Sequence, residues 1–214
     1  MTWFSNDNKS TMISTQNALV GRPDRITTAE QHFVYGIDLK QPLKRNEKEV
    51  IVGLGCFWGA EKCFWKLDGV TCTAVGYGAG YTPNPTYEEV CSGKTGHNEV
   101  VRVAYDCSIL SFEEILTVFW EAHNPTQGMQ QGNDRGTQYR SGLYLSDSSE
   151  IMVAEESRDR YQEKLHKAGF SPITTEIALA GPFYYAEAYH QQYLAKKPQG
   201  YCGLGGTGVS CGEG

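Results

Sequence analysis

The sequence lacks the features of membrane, secreted and nucleic-acid-binding proteins. No stretch approaches the roughly 20 consecutive apolar residues that a transmembrane helix needs. Residues 1–7 carry neither the apolar core of a secretory signal nor the arginine enrichment of a transit peptide. Acidic residues outnumber basic ones, 25 to 19, which gives a formal net charge of −6. Because nucleic-acid binding needs a basic face, we expect neither a nucleic-acid partner nor a membrane, and we predict a cytoplasmic protein.

Cysteine spacing excludes two further roles. No Cys-x-x-Cys pair occurs among the seven cysteines, so no structural zinc site is expected. An odd number of cysteines spread over 214 residues is not the pattern of a secreted disulfide scaffold. We therefore expect reduced thiols, as in a cytoplasmic protein. Four cysteines fall inside ordinary helix or strand patterns, and we interpret them as packing residues: Cys63, Cys72, Cys91 and Cys107.

The chain divides into an arm, a central domain and a tail. Residues 1–47 are polar and poorly periodic, which predicts an irregular N-terminal arm laid over the domain. Residues 48–198 carry the regular patterns, and residues 199–214 form a flexible, glycine-rich C-terminal tail. We expect one domain, because 214 residues suit a single core with additions. The sequence carries no visible signal of oligomeric state, so we take a monomer as the default.

Hydrophobic periodicity predicts strands and helices in the central domain. Apolar or alternating runs predict strands at residues 49–53, 70–77, 98–105, 138–145 and 174–180. Helical periodicity and helix-ending residues predict helices at 56–67, 86–91, 111–122, 146–168 and 182–196. The order β-α-β-β-α-β over residues 49–145 fits an α+β fold, a ferredoxin-like two-layer α/β sandwich.

The segment Gly55-Cys56-Phe57-Trp58-Gly59 lies where the first strand ends and the first helix begins. The free N–H groups and dipole of a helix N-terminus favour negative charge. We therefore predict that they lower the pKa of the Cys56 thiol and populate the nucleophilic thiolate. The glycines let another group approach the backbone, and the two aromatic side chains can form a wall of a small apolar pocket. The alternative is a buried cysteine that serves as a small hydrophobe.

Glu99 shares a predicted strand face with Val101 and Val103. Burial on that face would raise the pKa of the carboxyl and keep it protonated near neutrality, as a general acid must be. An ion-paired glutamate at an exposed strand end is equally compatible with the pattern.

Other candidate residues are polar side chains in loops. Asp134 follows Asn133 in a loop dense in hydrogen-bonding groups, which indicates either a functional loop or a turn capped by its own side chains. Tyr87 and Tyr139 can donate to a substrate oxygen, although most tyrosines complete an amphipathic face.

Three histidines keep a thiol hydrolase open as an alternative. His97, His123 and His190 are each candidates for a base that pairs with Cys56. Sequence spacing does not exclude such a pair, although His190, among tyrosines and glutamines of a predicted helix, is better interpreted as structural.

The tail carries two cysteines, Cys202 and Cys211, separated by eight residues of which four are glycine. A glycine-rich chain of that length has an r.m.s. reach of about 15–18 Å, whereas a disulfide needs Cα atoms only about 5.5–6 Å apart. Cys202 can therefore meet either Cys56 or Cys211. A redox enzyme that regenerates its first thiol needs such mobility, and a hydrolase does not.

Seven short motifs follow one another along the chain. They are Gly55-Cys56-Phe57-Trp58-Gly59, Asn84-Pro85-Thr86-Tyr87, Gly96-His97-Asn98-Glu99, Gln131-Gly132-Asn133-Asp134, Gly136-Thr137-Gln138-Tyr139-Arg140-Ser141, Tyr189-His190-Gln191-Gln192-Tyr193-Leu194 and Gly200-Tyr201-Cys202-Gly203. Each is weak alone, but in this order they closely resemble the methionine sulfoxide reductase A family over nearly all of residues 51–211. Residues 18–22 are also similar to members with an N-terminal extension, and Ala79 stands where glycine is common in the family.

The resemblance implies an enzyme that reduces the S epimer of methionine sulfoxide, free or in proteins, to methionine and so repairs oxidised proteins. It implies Cys56 as the nucleophile and Glu99 as the acid that protonates the sulfoxide oxygen. Tyr87, Tyr139 and Asp134 would help to hold that oxygen, the last of them through water.

The resemblance also implies that Phe57 and Trp58 receive the methyl group, that Cys202 is the recycling thiol and that Cys211 is a second one. Thioredoxin or another dithiol would reduce the resulting disulfide. Because thiols carry both electrons, no metal, flavin or nucleotide cofactor is required. We therefore take residues 48–198 as a catalytic domain. A thiol hydrolase and a non-catalytic binder of methionine-containing segments are the alternatives, and the tail cysteines favour the reductase over both.

Overall fold

A mixed six-stranded sheet forms the centre of the protein in a computed structural model that describes residues 9–212. The strands in chain order are β1 (Glu47–Leu54), β2 (Val70–Gly78), β3 (Asn98–Asp106), β4 (Gln130–Gln131), β5 (Asp134–Arg135), β6 (Ser141–Leu145), β7 (Glu176–Leu179) and β8 (Tyr184–Tyr185). The sheet order is β7-β6-β1-β3-β2-β8, and β4 with β5 forms a separate hairpin. Only the β6–β7 pair of the six-stranded sheet is parallel.

Helices cover one face of this sheet. They are α1 (Phe57–Phe64), α2 (Tyr87–Cys91), α3 (Phe112–Ala122), α4 (Ser148–Lys167) and α5 (Tyr193–Lys196). Val50, Val52 and Leu54 alternate along β1 toward this side, where they join the main core with Phe64 of α1 and Leu116 of α3. β1 also carries the buried Ile51 on the opposite face. Burial of both faces explains why the sequence of this strand is a continuous apolar run.

The arm covers part of the opposite face. Leu39 is fully buried there in a cluster with Cys72, Ala74 and Ala104, so Cys72 is a packing residue as predicted. Within its described part, the arm has one short 3₁₀ turn, Thr15–Asn17. Residues 1–8 of the predicted arm and residues 213–214 of the predicted tail lie outside the described residues.

Most predicted elements are present, with shifted ends. Capping boxes at Thr86 and Ser111 start α2 and α3, and the Asp147 side chain caps α4. The strand predicted from residue 138 begins only at Ser141, because Thr137–Tyr139 form a 3₁₀ turn. Within the described residues, no helix combines the length and apolar character that a membrane crossing requires.

The helix predicted over residues 182–196 is wrong. This segment contains β8, then irregular backbone, and then only the four-residue helix α5. Gln192 has a left-handed backbone, with φ 48°, which interrupts a right-handed helix. His190, Gln191 and Gln192 are all fully buried, so consecutive polar side chains point into the protein rather than around a helix surface. The packing interpretation of Cys107 is also wrong, because this thiol is exposed after β3.

Candidate active site

Cys56 lies at the junction of β1 and α1, where it is the residue that precedes the first helical turn. The turn depends on Gly55, whose φ of 95° disfavours any side chain. A Cβ atom at Gly55 would also lie 2.6 Å from Cβ of Gln131. The chain can therefore turn sharply from strand to helix and present the thiol at the helix N-terminus.

The prediction of a lowered thiol pKa for Cys56 is wrong for this structure. Burial raises the pKa of Cys56 well above its ordinary value, and the nearby Glu99 charge raises it further. The N–H groups of Trp58 and Gly59 act in the predicted direction, but burial outweighs them. Without substrate, the sulfur is therefore a protonated thiol.

Glu99 is buried, which decides between the two sequence interpretations. Its side chain lies on β3, opposite Tyr77 of β2, and only 1% of the residue is exposed. Oε2 accepts the backbone N–H of Phe57 at 3.2 Å, and Oε1 has no hydrogen-bond partner among the described residues. Burial raises the pKa of Glu99 to about 8, with a small contribution from the Asp134 charge. A protonated carboxyl therefore lies beside Phe57, the residue that directly follows Cys56.

Two tyrosines face the same carboxyl. Burial, and then the Glu99 charge, raise the pKa of both Tyr87 and Tyr139 above the ordinary value, so each hydroxyl keeps its proton and can donate it. Cys91 belongs to this group, since its sulfur lies 3.4 Å from Gln138 Nε2 and interacts with the Tyr87 hydroxyl. Cys91, interpreted as a packing residue, is thus a neighbour of the site.

Asp134 lies at the start of β5, at the edge of the site. Its Oδ1 accepts the Tyr201 hydroxyl at 3.1 Å, and Oδ2 has no partner among the described residues. Burial raises the pKa of this carboxyl above the ordinary range. Tyr201, which precedes Cys202, thus brings the start of the tail to the site.

Phe57 and Trp58 form an aromatic wall together with His190 and Tyr193, which belong to the segment wrongly predicted as a helix over residues 182–196. The Trp58 indole N–H donates to Nδ1 of His190 at 3.0 Å, and its ring stacks on Tyr193 with centroids 4.0 Å apart. The His190 ring also packs against Phe57 at 5.0 Å and Tyr87 at 4.5 Å. Burial lowers the pKa of His190 to about 4, so a neutral imidazole fixes the indole.

The histidines do not form a hydrolase pair with Cys56. Among the described residues, no histidine makes a hydrogen bond to its sulfur. His190 is bonded to Trp58, His97 Nε2 to the Thr82 carbonyl at 2.7 Å, and both nitrogens of His123 to Phe119 and Ser141. The three rings therefore have structural partners instead of the thiol.

Cys202 lies against the first turn of α1. A Cβ atom placed on Gly59 would be 3.0 Å from Cys202 Sγ and 3.0 Å from Leu204 Cβ. Only a glycine lets the tail approach this closely, and Gly59 lies in the same turn as Cys56. The recycling candidate is thus close to the helix end that presents the first thiol.

Cys211 is held elsewhere, between α3 and α4. Its backbone N–H donates to Glu121 Oε1 at 2.6 Å, and Lys164 Nζ donates to its carbonyl at 2.7 Å. The Tyr161 hydroxyl also donates to the Val209 carbonyl at 3.0 Å. The structure therefore brings all the predicted site residues together except Cys211.

A half-buried thiol, a protonated carboxyl and a second thiol beside the same helix define a cysteine-dependent oxidoreductase. The comparisons agree. The family model for peptide methionine sulfoxide reductase matches residues 48–207. Peptide methionine sulfoxide reductase MsrA of Methylobacterium nodulans is 62% identical over 204 residues, which are 95% of this chain and 92% of that protein. The chain therefore belongs to the peptide methionine sulfoxide reductase family.

Solved structures of the family have the same fold. Methionine sulfoxide reductase A of Corynebacterium diphtheriae aligns with a TM-score of 0.85 at 44% identity and covers 95% of this chain and 99% of its own. Mxr1 from Saccharomyces cerevisiae in its reduced form aligns with a TM-score of 0.69 at 34% identity and covers 75% of this chain and 92% of its own. The yeast protein has also been solved in complex with Trx2.

The sequence interpretation missed several residues of this site. Tyr193 and Tyr201 lie in two of the seven motifs, but the sequence pattern predicts no role for them, and it indicates His190 only as a base or a structural residue. Glu187 was missed entirely. Its Oε1 accepts the Tyr87 N–H at 2.9 Å and its Oε2 accepts the Tyr77 hydroxyl at 2.8 Å. The only sequence signal was the density of tyrosines around His190.

Gly59→Ala should slow the reaction between Cys56 and Cys202 without harming α1. Alanine is preferred to glycine inside a helix by up to about 1 kcal/mol, but its methyl group would displace Cys202 and Leu204. After one equivalent of sulfoxide, mass spectrometry of quenched samples should show severalfold slower disulfide formation, with an unchanged rate of methionine release. Gly181→Ala is the control, because its Cβ would meet nothing within 4 Å. An unchanged disulfide rate in Gly59→Ala would contradict this packing.

Proposed function

We propose that this protein reduces methionine S-sulfoxide, free or within proteins, with Cys56 as the nucleophile and Glu99 as the acid. The position of Glu99 carries the proposal. A sulfoxide oxygen is a poor leaving group until it is protonated, so a reductase needs an uncharged acid at the thiol. Glu99 is buried, has a pKa of about 8, and keeps one carboxyl oxygen unpartnered among the described residues.

The raised thiol pKa is compatible with this chemistry if the protons move together. Glu99 gives its proton to the sulfoxide oxygen while the Cys56 sulfur bonds to the sulfoxide sulfur, and the thiol proton then passes to the Glu99 carboxylate. The sulfur–oxygen bond of the substrate and the transient bond between the two sulfurs then both break as the oxygen bonds to the Cys56 sulfur. Methionine leaves with two more electrons on its sulfur, and Cys56 becomes a sulfenic acid. No isolated thiolate accumulates in the buried site.

The tyrosines and the aromatic wall orient the substrate for this step. Tyr87 and Tyr139 retain their protons, so their hydroxyls can donate to the oxygen as negative charge develops there. Asp134 holds a water molecule on the same side, and its Oδ2, which has no partner among the described residues, supports this role. The methyl group then packs against Phe57 and Trp58.

Recycling moves the oxidation outward along the chain. The Cys202 thiol attacks the sulfenic sulfur of Cys56 and releases water, which forms a Cys56–Cys202 disulfide. Cys211 then attacks the sulfur of Cys202 and restores the Cys56 thiol. This second step requires Cys211 to leave its contacts with Glu121 and Lys164.

Thioredoxin is the proposed reductant of the Cys202–Cys211 disulfide. Two thiols of the donor supply the two electrons, so the cycle closes without any other electron carrier. The complex of yeast Mxr1 with Trx2 supports this choice for the family, and the exposed position of Cys202 leaves one sulfur of this disulfide within reach of a protein partner.

The finer assignments of fold and location are also proposals. The order β6-β1-β3-β2 supports a ferredoxin-like sandwich with β7 and β8 added at its edges. The division into an arm, a catalytic domain and a tail stays a prediction, as do the monomeric state and the cytoplasmic location.

The purified protein should convert methionine S-sulfoxide to methionine in the presence of dithiothreitol. Cys56→Ser should produce no methionine, because a serine hydroxyl cannot accept the oxygen and later be reduced. Amino-acid analysis of the products measures both, with the R epimer as a substrate control. The proposal fails if the wild type makes no methionine, or if the serine variant is as active as the wild type.

Glu99→Gln should slow sulfenic-acid formation by about 10²–10⁴-fold, because general acid catalysis contributes that range and an amide is a far weaker acid. In the wild type, the carboxyl with its pKa of about 8 is protonated below that pH and loses its proton above it. The single-turnover rate should therefore fall as pH rises through 8, and the Gln variant should not show this fall. Rapid-quench kinetics measures both, with the exposed Glu156→Gln as the control. A Gln variant as fast as the wild type would remove Glu99 as the acid.

Cys202→Ser should complete one turnover per enzyme molecule and then stop when thioredoxin is the reductant. The first step uses only Cys56, whereas recycling needs the second thiol. Methionine formed in a burst, compared with the steady-state rate, measures the difference. Cys107→Ser removes an exposed thiol far from these steps and is the control. An unchanged steady-state rate in Cys202→Ser would contradict the recycling role.

A further inference from the structure

The N-terminal arm reaches the active site through buried hydrogen bonds that meet at Glu61. This residue lies on α1 and is fully buried. Its Oε1 accepts the Thr73 hydroxyl at 2.9 Å and the Gln192 side-chain amide at 2.6 Å, and its Oε2 accepts the Gln192 backbone N–H at 2.8 Å. Within the described residues, each group bonded to this carboxylate is a donor, so the network favours its ionised form although burial raises the pKa of Glu61 to about 7.

His32 of the arm is the next member of this network. Thr73 has a single hydroxyl proton, which it donates to Glu61, so the same hydroxyl accepts the N–H of His32 Nε2 at 2.9 Å. On the other side of the ring, Nδ1 accepts the backbone N–H groups of Val34 and Tyr35, each at 3.2 Å. These partners assign a neutral ring with its proton on Nε2, and burial accordingly lowers the pKa of His32 to about 4.

Gln192 connects this network to the aromatic wall. Its left-handed backbone is one that residues with side chains adopt only when their surroundings hold it. It stands between His190 and Tyr193, whose rings contact Trp58. Besides its two bonds to Glu61, Gln192 accepts the backbone N–H of Phe33 at 3.0 Å through its side-chain oxygen. Two consecutive arm residues therefore restrain this turn.

A second contact ties the arm to the same segment. The Thr28 hydroxyl donates to the Ala186 carbonyl at 2.6 Å, and the Gln191 amide donates to Thr28 Oγ1 at 3.3 Å. Gln191 also accepts the Val75 N–H at 2.9 Å, which links the segment to β2. The arm thus restrains residues 186–192 at both ends.

We infer that His32 is a positioning residue of the substrate site: through Thr73 and Glu61 it holds the Gln192 turn, and so keeps His190 and Tyr193 where the aromatic wall fits a methyl group. The inference rests on the proposed assignment of this wall to the methyl group of the sulfoxide. The arm then sets the size selectivity of the pocket, while the reacting groups remain those of the central domain.

Selectivity between S-methyl and S-ethyl substrates tests this role. Pockets discriminate one methylene by about 10–200-fold, so the wild type should prefer methionine S-sulfoxide to ethionine S-sulfoxide by at least about tenfold in kcat/KM. His32→Leu removes the donor to Thr73, and the preference should fall by about threefold or more, with the larger change in KM. His32→Gln can again donate an amide N–H to Thr73 and should restore most of the preference.

Hydrogen exchange of residues 186–197, followed by mass spectrometry without substrate, provides a readout that does not depend on activity. Faster exchange there in His32→Leu, reversed in His32→Gln, supports the inference, and unchanged exchange overturns it even if the proposed reaction itself fails.

Leu39→Ala is the matched control, because it weakens arm packing against Cys72 and Ala74 without touching the network. An equal loss of selectivity in Leu39→Ala, or none in His32→Leu, also overturns it. If His32→Leu does not fold, Thr73→Val interrupts the same network and Thr73→Ser restores it.

Discussion

The antiparallel register between β1 and β3 is the constraint on which the rest of the site depends. Val52 of β1 lies opposite Val101 of β3, and continuing both strands brings Leu54 beside Glu99 and places Cys56 just beyond it. Because both strands lie inside the sheet and α1 covers this end, the thiol and the carboxyl are both poorly solvated. Burial then raises the pKa of both groups, so each holds its proton at neutral pH. Under the proposed function, the substrate therefore meets an acid and a thiol rather than two anions.

The sequence pattern predicted the sheet and much of the site because these depend on local signals. Alternation along β3 correctly grouped Glu99 with Val101 and Val103, and the capping box at Ser111 marked the start of α3. The same alternation did not decide between a buried and an exposed Glu99, because the element that covers it begins more than forty residues earlier at Phe57. The prediction that these distant residues form one site came from the order of the seven motifs and the family resemblance that it carries. Hydrophobic periodicity did not provide it.

Two predictions are wrong for the same physical reason, which is burial by parts of the chain far away in sequence. They are the lowered pKa of Cys56 and the helix over residues 182–196. The helix dipole gives the correct sign for its effect on Cys56, but desolvation by the whole fold is larger, and no local pattern measures it. The segment around His190 was predicted as a helix for the same reason. Its buried polar side chains bind to Glu61, Val75 and Trp58, which lie far away in sequence. These tertiary partners override the local preference and create the aromatic wall.

The packing of Cys202 on Gly59 has a consequence for survival under oxidative stress. A sulfenic acid that waits in a peroxide-rich solution can be oxidised again to the sulfinic state, which ordinary thiols do not reverse. A thiol already resting against the same helical turn reacts within the molecule and does not depend on a collision with a dilute partner. In the proposed cycle, the missing side chain of Gly59 thereby shortens the time during which Cys56 can be oxidised further, and it protects the enzyme from the oxidants whose damage it repairs.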